Sequence, residues 1–250
     1  MGQLVKLLNP KYTPIAIYRV KEFPDYAVPS SGKGCIVSSM LMPAWENGRT
    51  VAATADRIGC IGALNGLGLG GDAHENRLGT AGKYAIGTEE EPGKKYFCSQ
   101  EVGIRDYIDK VPVYGSSDDI AVVQPIDEAE AMGAPIEVVA FLSDGLEMSA
   151  LITLAGFSGM DGDTVIRSGF GYSCEQVFAM AKQEGESDHP RMVLGMTEFF
   201  PRRFIDSGRM SISMPYSMYR RMDDDAERSF LSDDRWRDAA QPKKNDNCCC

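Results

Sequence analysis

Histidine is scarce: the 250 residues contain two, His74 and His189, alongside two tryptophans. Histidine chemistry rests on these two residues, either of which could pair with a cysteine as nucleophile and base, His74 being the better placed on the glycine-rich loop after Cys60. Long apolar runs are also missing. No stretch of roughly 18 apolar residues occurs, so no transmembrane helix is expected. The N-terminus, Met1 to Pro10, has neither a basic leader, a long apolar core nor a cleavage site. Lys6 stands where a myristoylation signal after Gly2 would need Ser or Thr. A cytoplasmic protein without a membrane partner is therefore expected. Neither Cys-x-x-Cys nor Cys-x-x-His occurs, which removes zinc ribbons, zinc fingers and thioredoxin-type sites as local motifs. Basic residues are outnumbered, 26 against 36 acidic ones, for a net charge of −10. Such a field repels nucleic acid, so the expected partners are a small molecule, a metal or another protein.

What the chain does have is ordinary globular composition, with 43% hydrophobic and 25% charged residues, and a high glycine count of 26. Its length suffices for one α/β domain with its own core. Strands are expected over 13–20, 50–54, 120–124, 136–142, 164–167, 192–195 and 210–214, from β-branched and aromatic runs between turn residues. Helices are expected over 35–47, closed by Gly48, and over 99–110, 144–157, 173–183 and 215–231. The glycine-crowded stretch 59–93 reads as a structured loop. Alternating strands and helices predict an α/β or α+β fold, a single layered domain over 1–231 with a mixed sheet and flanking helices. Residues 232–250 read as a polar, disordered tail. No internal repeat of fixed period is visible.

Seven cysteines carry most of the chemical promise. Ser173 and Gln176 fit a capping box that would put Cys174 in the first helical turn, where the helix dipole favours a thiolate. Cys35 opens another helix beside Lys33. The loop before it lacks the spacing and hydroxyl of a phosphate loop. Cys60 leads into Gly62, Gly66, Gly68 and Gly71. Those glycines satisfy Gly-x-Gly-x-x-Gly, but the polar, glycine-broken stretch that follows is no dinucleotide helix. They read instead as a close-approach wall, with Gly62, Gly66 and Gly68 as candidate cofactor-contacting positions. Cys98 reads as a partly buried structural thiol. Cys248, Cys249 and Cys250 fall in the tail.

Cys35, Cys60 and Cys174 together could hold an iron–sulfur cluster with one open iron, or zinc with a fourth ligand, if the fold brings them together. A redox role is the related expectation. Two alternatives stand beside it. The cysteines could pack the wall of a non-catalytic small-ligand module. Or Cys60 could be a catalytic nucleophile with His74 as its base. His189 reads as a turn residue, Asp161-Gly162-Asp163 as a turn, and Glu89-Glu90-Glu91 and Asp223-Asp224-Asp225 as solvated charge runs. Arg202-Arg203 could bind a carboxylate or phosphate.

The order of these segments is informative. Cys35 opens an apolar helix; Cys60-Ile-Gly-Ala63 and its glycines follow. Then come Val122-Val-Gln-Pro-Ile-Asp-Glu-Ala129, the strand 138–142, Ser149-Ala-Leu-Ile-Thr-Leu-Ala-Gly156, Cys174, and Met210-Ser-Ile-Ser-Met-Pro-Tyr216. Over most of 13–231 this pattern resembles the uncharacterised ArCR family of prokaryotic proteins, domain-of-unknown-function family 169. The resemblance implies a cytoplasmic bacterial or archaeal protein, and its cysteine positions correspond to Cys35, Cys60 and Cys174. It implies no particular chemistry.

Overall fold

The computed structural model describes residues 1–32, 34–70, 96–107, 110–114, 118–159 and 164–240. One sheet of eight strands organises them, in the order β2-β3-β4-β1-β5-β8-β7-β6. The strands are β1 (Ile15–Val20), β2 (Val28–Pro29), β3 (Val51–Thr54), β4 (Ile120–Pro125), β5 (Val138–Ser143), β6 (Ile166–Ser168), β7 (Met192–Gly195) and β8 (Met210–Pro215). Only the outermost pairs, β2 with β3 and β6 with β7, are parallel. The sheet is thus mixed, and the fold is α+β.

Both faces of the sheet are covered, which explains why β4 and β5 read as unbroken apolar runs. Ile15 and Ile17 of β1 face one core, with Val138, Ala140 and Leu142 of β5. Ala16 and Tyr18 face the other, with Val139 and Phe141. The first core is roofed by two long helices. One, over residues 36–47, starts with a π-helical turn Val37–Leu41 and continues as α2 (Met42–Asn47). Gly48, at φ 61°, ends it in the left-handed conformation and donates its N–H to Ala44. The other, over 173–184, has a π-helical turn at Glu175–Ala179 and continues as a later α segment, Met180–Glu184. Two shorter helices join this face, α3 (Ile61–Gly66) and α4 (Gln100–Asp106). With α5 (Ile126–Ala131) next in the chain, the opposite face carries α1 (Gln3–Leu8), α6 (Gly145–Ala155), α8 (Tyr216–Ala226) and α9 (Asp234–Ala240), the segment Met180–Glu184 being α7.

Sequence cues account for several boundaries. Asp144 and Glu147 form a reciprocal capping box at the start of α6. Ser99 caps α4 by accepting from the Val102 N–H at 3.2 Å. Asp223, read as part of a solvated run, is buried and accepts from Leu4 N at 2.7 Å, capping α1 from a distant helix. The tail expectation is corrected over its first part. Asp234–Ala240 is helical, because Trp236 packs edge-on against Phe230 and donates to the Leu7 carbonyl. Residues 241–250 lie outside the described ones.

The strand pattern repeats. The series β1, β2, helix 36–47, β3, β4, α5 is matched by β5, β6, helix 173–184, β7, β8, α8, with α6 inserted after β5. The strand order is unchanged when the two series are exchanged and the sheet is read from its other edge. Register agrees: Ile15 pairs with Pro125 as Val138 pairs with Pro215, and Val51 faces Val123 as Val193 faces Ser213. Pro125 and Pro215 each end a strand and start a helix, and the next N–H bonds back at 3.0 Å in both cases, Ile126 to Pro14 and Tyr216 to Glu137. At the seam Ala16 pairs with Val139, two positions that are themselves equivalent. The halves are therefore related by an approximate two-fold at that pair. No fixed period announces this in the sequence, because the β3–β4 connection spans residues 55–119 and its counterpart only 196–209.

Candidate functional site

A cavity of about 420 Å³ opens where the two long helices begin. Gly34, Cys35, Ile36 and Val37 line it from the first helix start, and Tyr172, Ser173 and Cys174 from the second. The β3–β4 connection adds Gly59, Cys60, Gly62 and Ala63; the β7–β8 connection adds Glu198, Phe200, Pro201 and Arg203. Each wall segment thus has its counterpart in the other half.

The fold brings together the three cysteines singled out from sequence. Cys174 is buried, Cys35 is half-buried and Cys60 is exposed. Burial pushes the Cys174 thiol well up, and the neighbouring Cys60, Glu175, Cys35 and Glu198 push it the same way. Its Sγ donates to the Gly62 carbonyl at 3.0 Å. This corrects the thiolate expectation: at a helix start, desolvation outweighs the dipole. The capping box also fails. Ser173 Oγ is buried without a partner among the described residues, and the Gln176 amide reaches Gly169 O at 2.8 Å instead. Cys35 is raised as well, chiefly by burial, although the Val37 and Ser38 backbone N–H groups point at its sulfur and oppose the shift. Among the described residues, no three His, Cys, Asp or Glu side chains converge to hold a metal ion. The thiols share a cavity without meeting at one point.

The glycines divide by role. Gly62 lines the cavity, and a Cβ there would lie 3.0 Å from the Tyr172 ring. Gly66 lies outside the wall, packed so closely on the second helix that its Cβ would lie 2.7 Å from the Cys174 carbonyl carbon. Gly68, at φ 70°, turns the chain beside Arg19 and Tyr114, away from the cavity. The close-approach reading therefore applies to the Cys174 helix rather than to a cofactor at Gly66 or Gly68. Cys98 is exposed, against the expectation of a partly buried thiol. His74, Gly71, Lys33, Glu89-Glu90-Glu91, Asp161-Gly162-Asp163 and Cys248 to Cys250 lie outside the described residues. The Cys60–His74 pair therefore has no geometry here.

Several site residues carry no sequence signal of their own. Glu175 is buried behind Cys174, accepts from the Tyr107 hydroxyl and holds the Tyr172 N–H at 3.3 Å. Burial, with Glu175 alongside, pushes the Tyr107 phenol well up. Glu198 is buried on the cavity wall and accepts from Tyr96 Oη at 3.2 Å. Tyr96, Phe97, Tyr107, Phe170 and Tyr172 form a continuous aromatic cluster beside it, with ring centroids 4.9 to 6.4 Å apart. Glu175 and Glu198 are isolated acids in sequence, and only the helix starts hinted that this end of the fold matters.

The same cysteines, glycines and strand-ending prolines lie within a match to a known family. The profile of family DUF169, described as uncharacterised ArCR, covers residues 3–224. The chain belongs to the DUF169 family. No curated protein matches the chain, and no solved structure does. Family membership here brings a common sequence pattern without an assigned reaction, so the chemistry of this DUF169 chain rests on its cavity. Among the described residues no helix is long and apolar enough to cross a membrane.

Proposed function

We propose that this protein binds a small organic molecule in the thiol-lined cavity. The observation that supports this most is the cavity itself: about 420 Å³, walled by Ile36, Val37, Ala63, Tyr172 and Phe200, and edged by a few polar groups. Small-molecule sites have this size and this mixture of apolar wall and sparse polar contacts. Cys35 and Cys174, with raised pKa values, keep neutral and polarisable sulfurs at the cavity wall. Cys60 is the accessible sulfur.

A second reading, a zinc or iron–sulfur centre, draws on the placement of Cys35, Cys60 and Cys174 around one space. It requires the side chains to rotate inward and release protons on loading. One preparation separates the two. Protein purified under argon is weighed intact by native mass spectrometry and assayed for iron, zinc and sulfide. The ligand reading expects an organic mass that is lost on unfolding, with metal well below one equivalent. One equivalent of metal that disappears when Cys35, Cys60 and Cys174 are changed to Ser would overturn it in favour of the metal centre.

A further inference from the structure

Among the described residues, Arg203 is the one cationic side chain on the cavity wall. Its guanidinium carbon lies 4.1 Å from the Phe200 ring centroid and 4.7 Å from that of Phe204. Cation–π attraction places the planar group against the rings and leaves its N–H edges open to solvent or to a ligand. Among the described residues Arg203 makes no hydrogen bond and no ion pair. Its neighbour Arg202 is committed, donating to the Ser207 and Arg209 carbonyls. The carboxylate on the same wall, Glu198, is buried and engaged by Tyr96. Arg203 is exposed at the cavity wall, and its guanidinium, beside an apolar space in a protein of net charge −10, is a local reversal of the overall field.

We infer that the ligand of this cavity carries an oxyanion, a carboxylate or phosphate, and that Arg203 receives it while the apolar body lies toward Ile36, Ala63 and Tyr172. This rests on the reading of the cavity as a ligand site. Guanidinium matches both oxyanions through paired N–H donors, whereas an ammonium would give a point charge without that geometry. The two long helices, which both start at this cavity, add N-terminal dipoles of the same sign.

Two fluorescent probes with one scaffold test it: 8-anilinonaphthalene-1-sulfonate, an anion, and N-phenyl-1-naphthylamine, its neutral counterpart. Each is titrated into the full chain, into R203M and R203K, and into protein alkylated at Cys60. Circular dichroism and Tm verify that the variants fold. R203M should weaken the anionic probe by about tenfold or more, the loss of a charge-assisted contact, and leave the neutral probe within about twofold. R203K should recover part of the affinity. Displacement of the anionic probe by phenyl phosphate or by benzoate, but not by benzyl alcohol, then tells a phosphate from a carboxylate. Equal response of both probes to R203M, or none in either, overturns the Arg203 assignment while the cavity reading stands. Failure of Cys60 alkylation to block either probe overturns the cavity reading and the assignment with it.

Discussion

Cys174 illustrates how one residue is governed by competing fields. The helix start favours its thiolate, and burial disfavours it more strongly. Its protonated form is bound by the fold, as is that of Tyr107. The sign for stability follows. Below the unfolded thiol value of about 8.5 both states keep the proton, and the stabilisation is complete. Above it the unfolded chain ionises first, so stability falls as pH rises toward the folded value. The expected outcome is a Tm that declines above about pH 8.5, with a shallower decline in C174A. An equally steep decline in C174A would remove Cys174 from the alkaline transition. At neutral pH, alkylation of the native protein should reach Cys60 and Cys98 before Cys174, in the order of their exposure.

At the scale of elements, the short helix α3 sets one wall of the cavity by pressing its glycine side onto the start of the second long helix. A methyl group on Gly66 would meet the backbone of Cys174 and Glu175, at 2.7 and 2.8 Å, with no flexible side chain to yield. Gly66→Ala should therefore cost about 1–3 kcal/mol or more by overpacking. Gly145, at the first position of α6 with open space around it, gives the opposite expectation. Gly145→Ala should stabilise by about 0.4–1 kcal/mol, by reducing unfolded-state freedom. Urea titration of the two variants compares them, and similar stability for both would contradict the packing described for α3. The strongest elements were legible in sequence because their apolar runs are long: β4, β5, α6 and the two long helices. The helices α1 and α3 were not. Leu4, Val5 and Leu8 form too short a run to announce a helix, and α1 is completed by Asp223, 219 positions away. The glycines of α3 oppose helix by propensity, and tertiary contact with Cys174 overrides them.

Over the whole molecule, two similar halves meet at the β1–β5 seam and enclose one cavity between corresponding segments. Correspondence does not mean identity: Cys35 and Ile36 at one helix start stand where Ser173 and Cys174 stand at the other. The three-cysteine grouping was visible in the sequence because cysteines near helix starts are few. The symmetry was not, since unequal connections break any fixed period and most equivalent positions carry different residues. Glu175, Glu198 and the aromatic cluster escaped for another reason: only the fold gathers them from distant segments. Against a net charge of −10 over the chain, Arg203 puts a local positive charge at the cavity wall.

Ligand binding in the cavity is tested most directly by titrating N-phenyl-1-naphthylamine into protein alkylated at Cys60 alone and at Cys98 alone, both thiols being exposed and only Cys60 lining the cavity. Loss of binding on Cys60 modification, with Cys98 modification silent, is the expected result. Unchanged binding after Cys60 modification would contradict it.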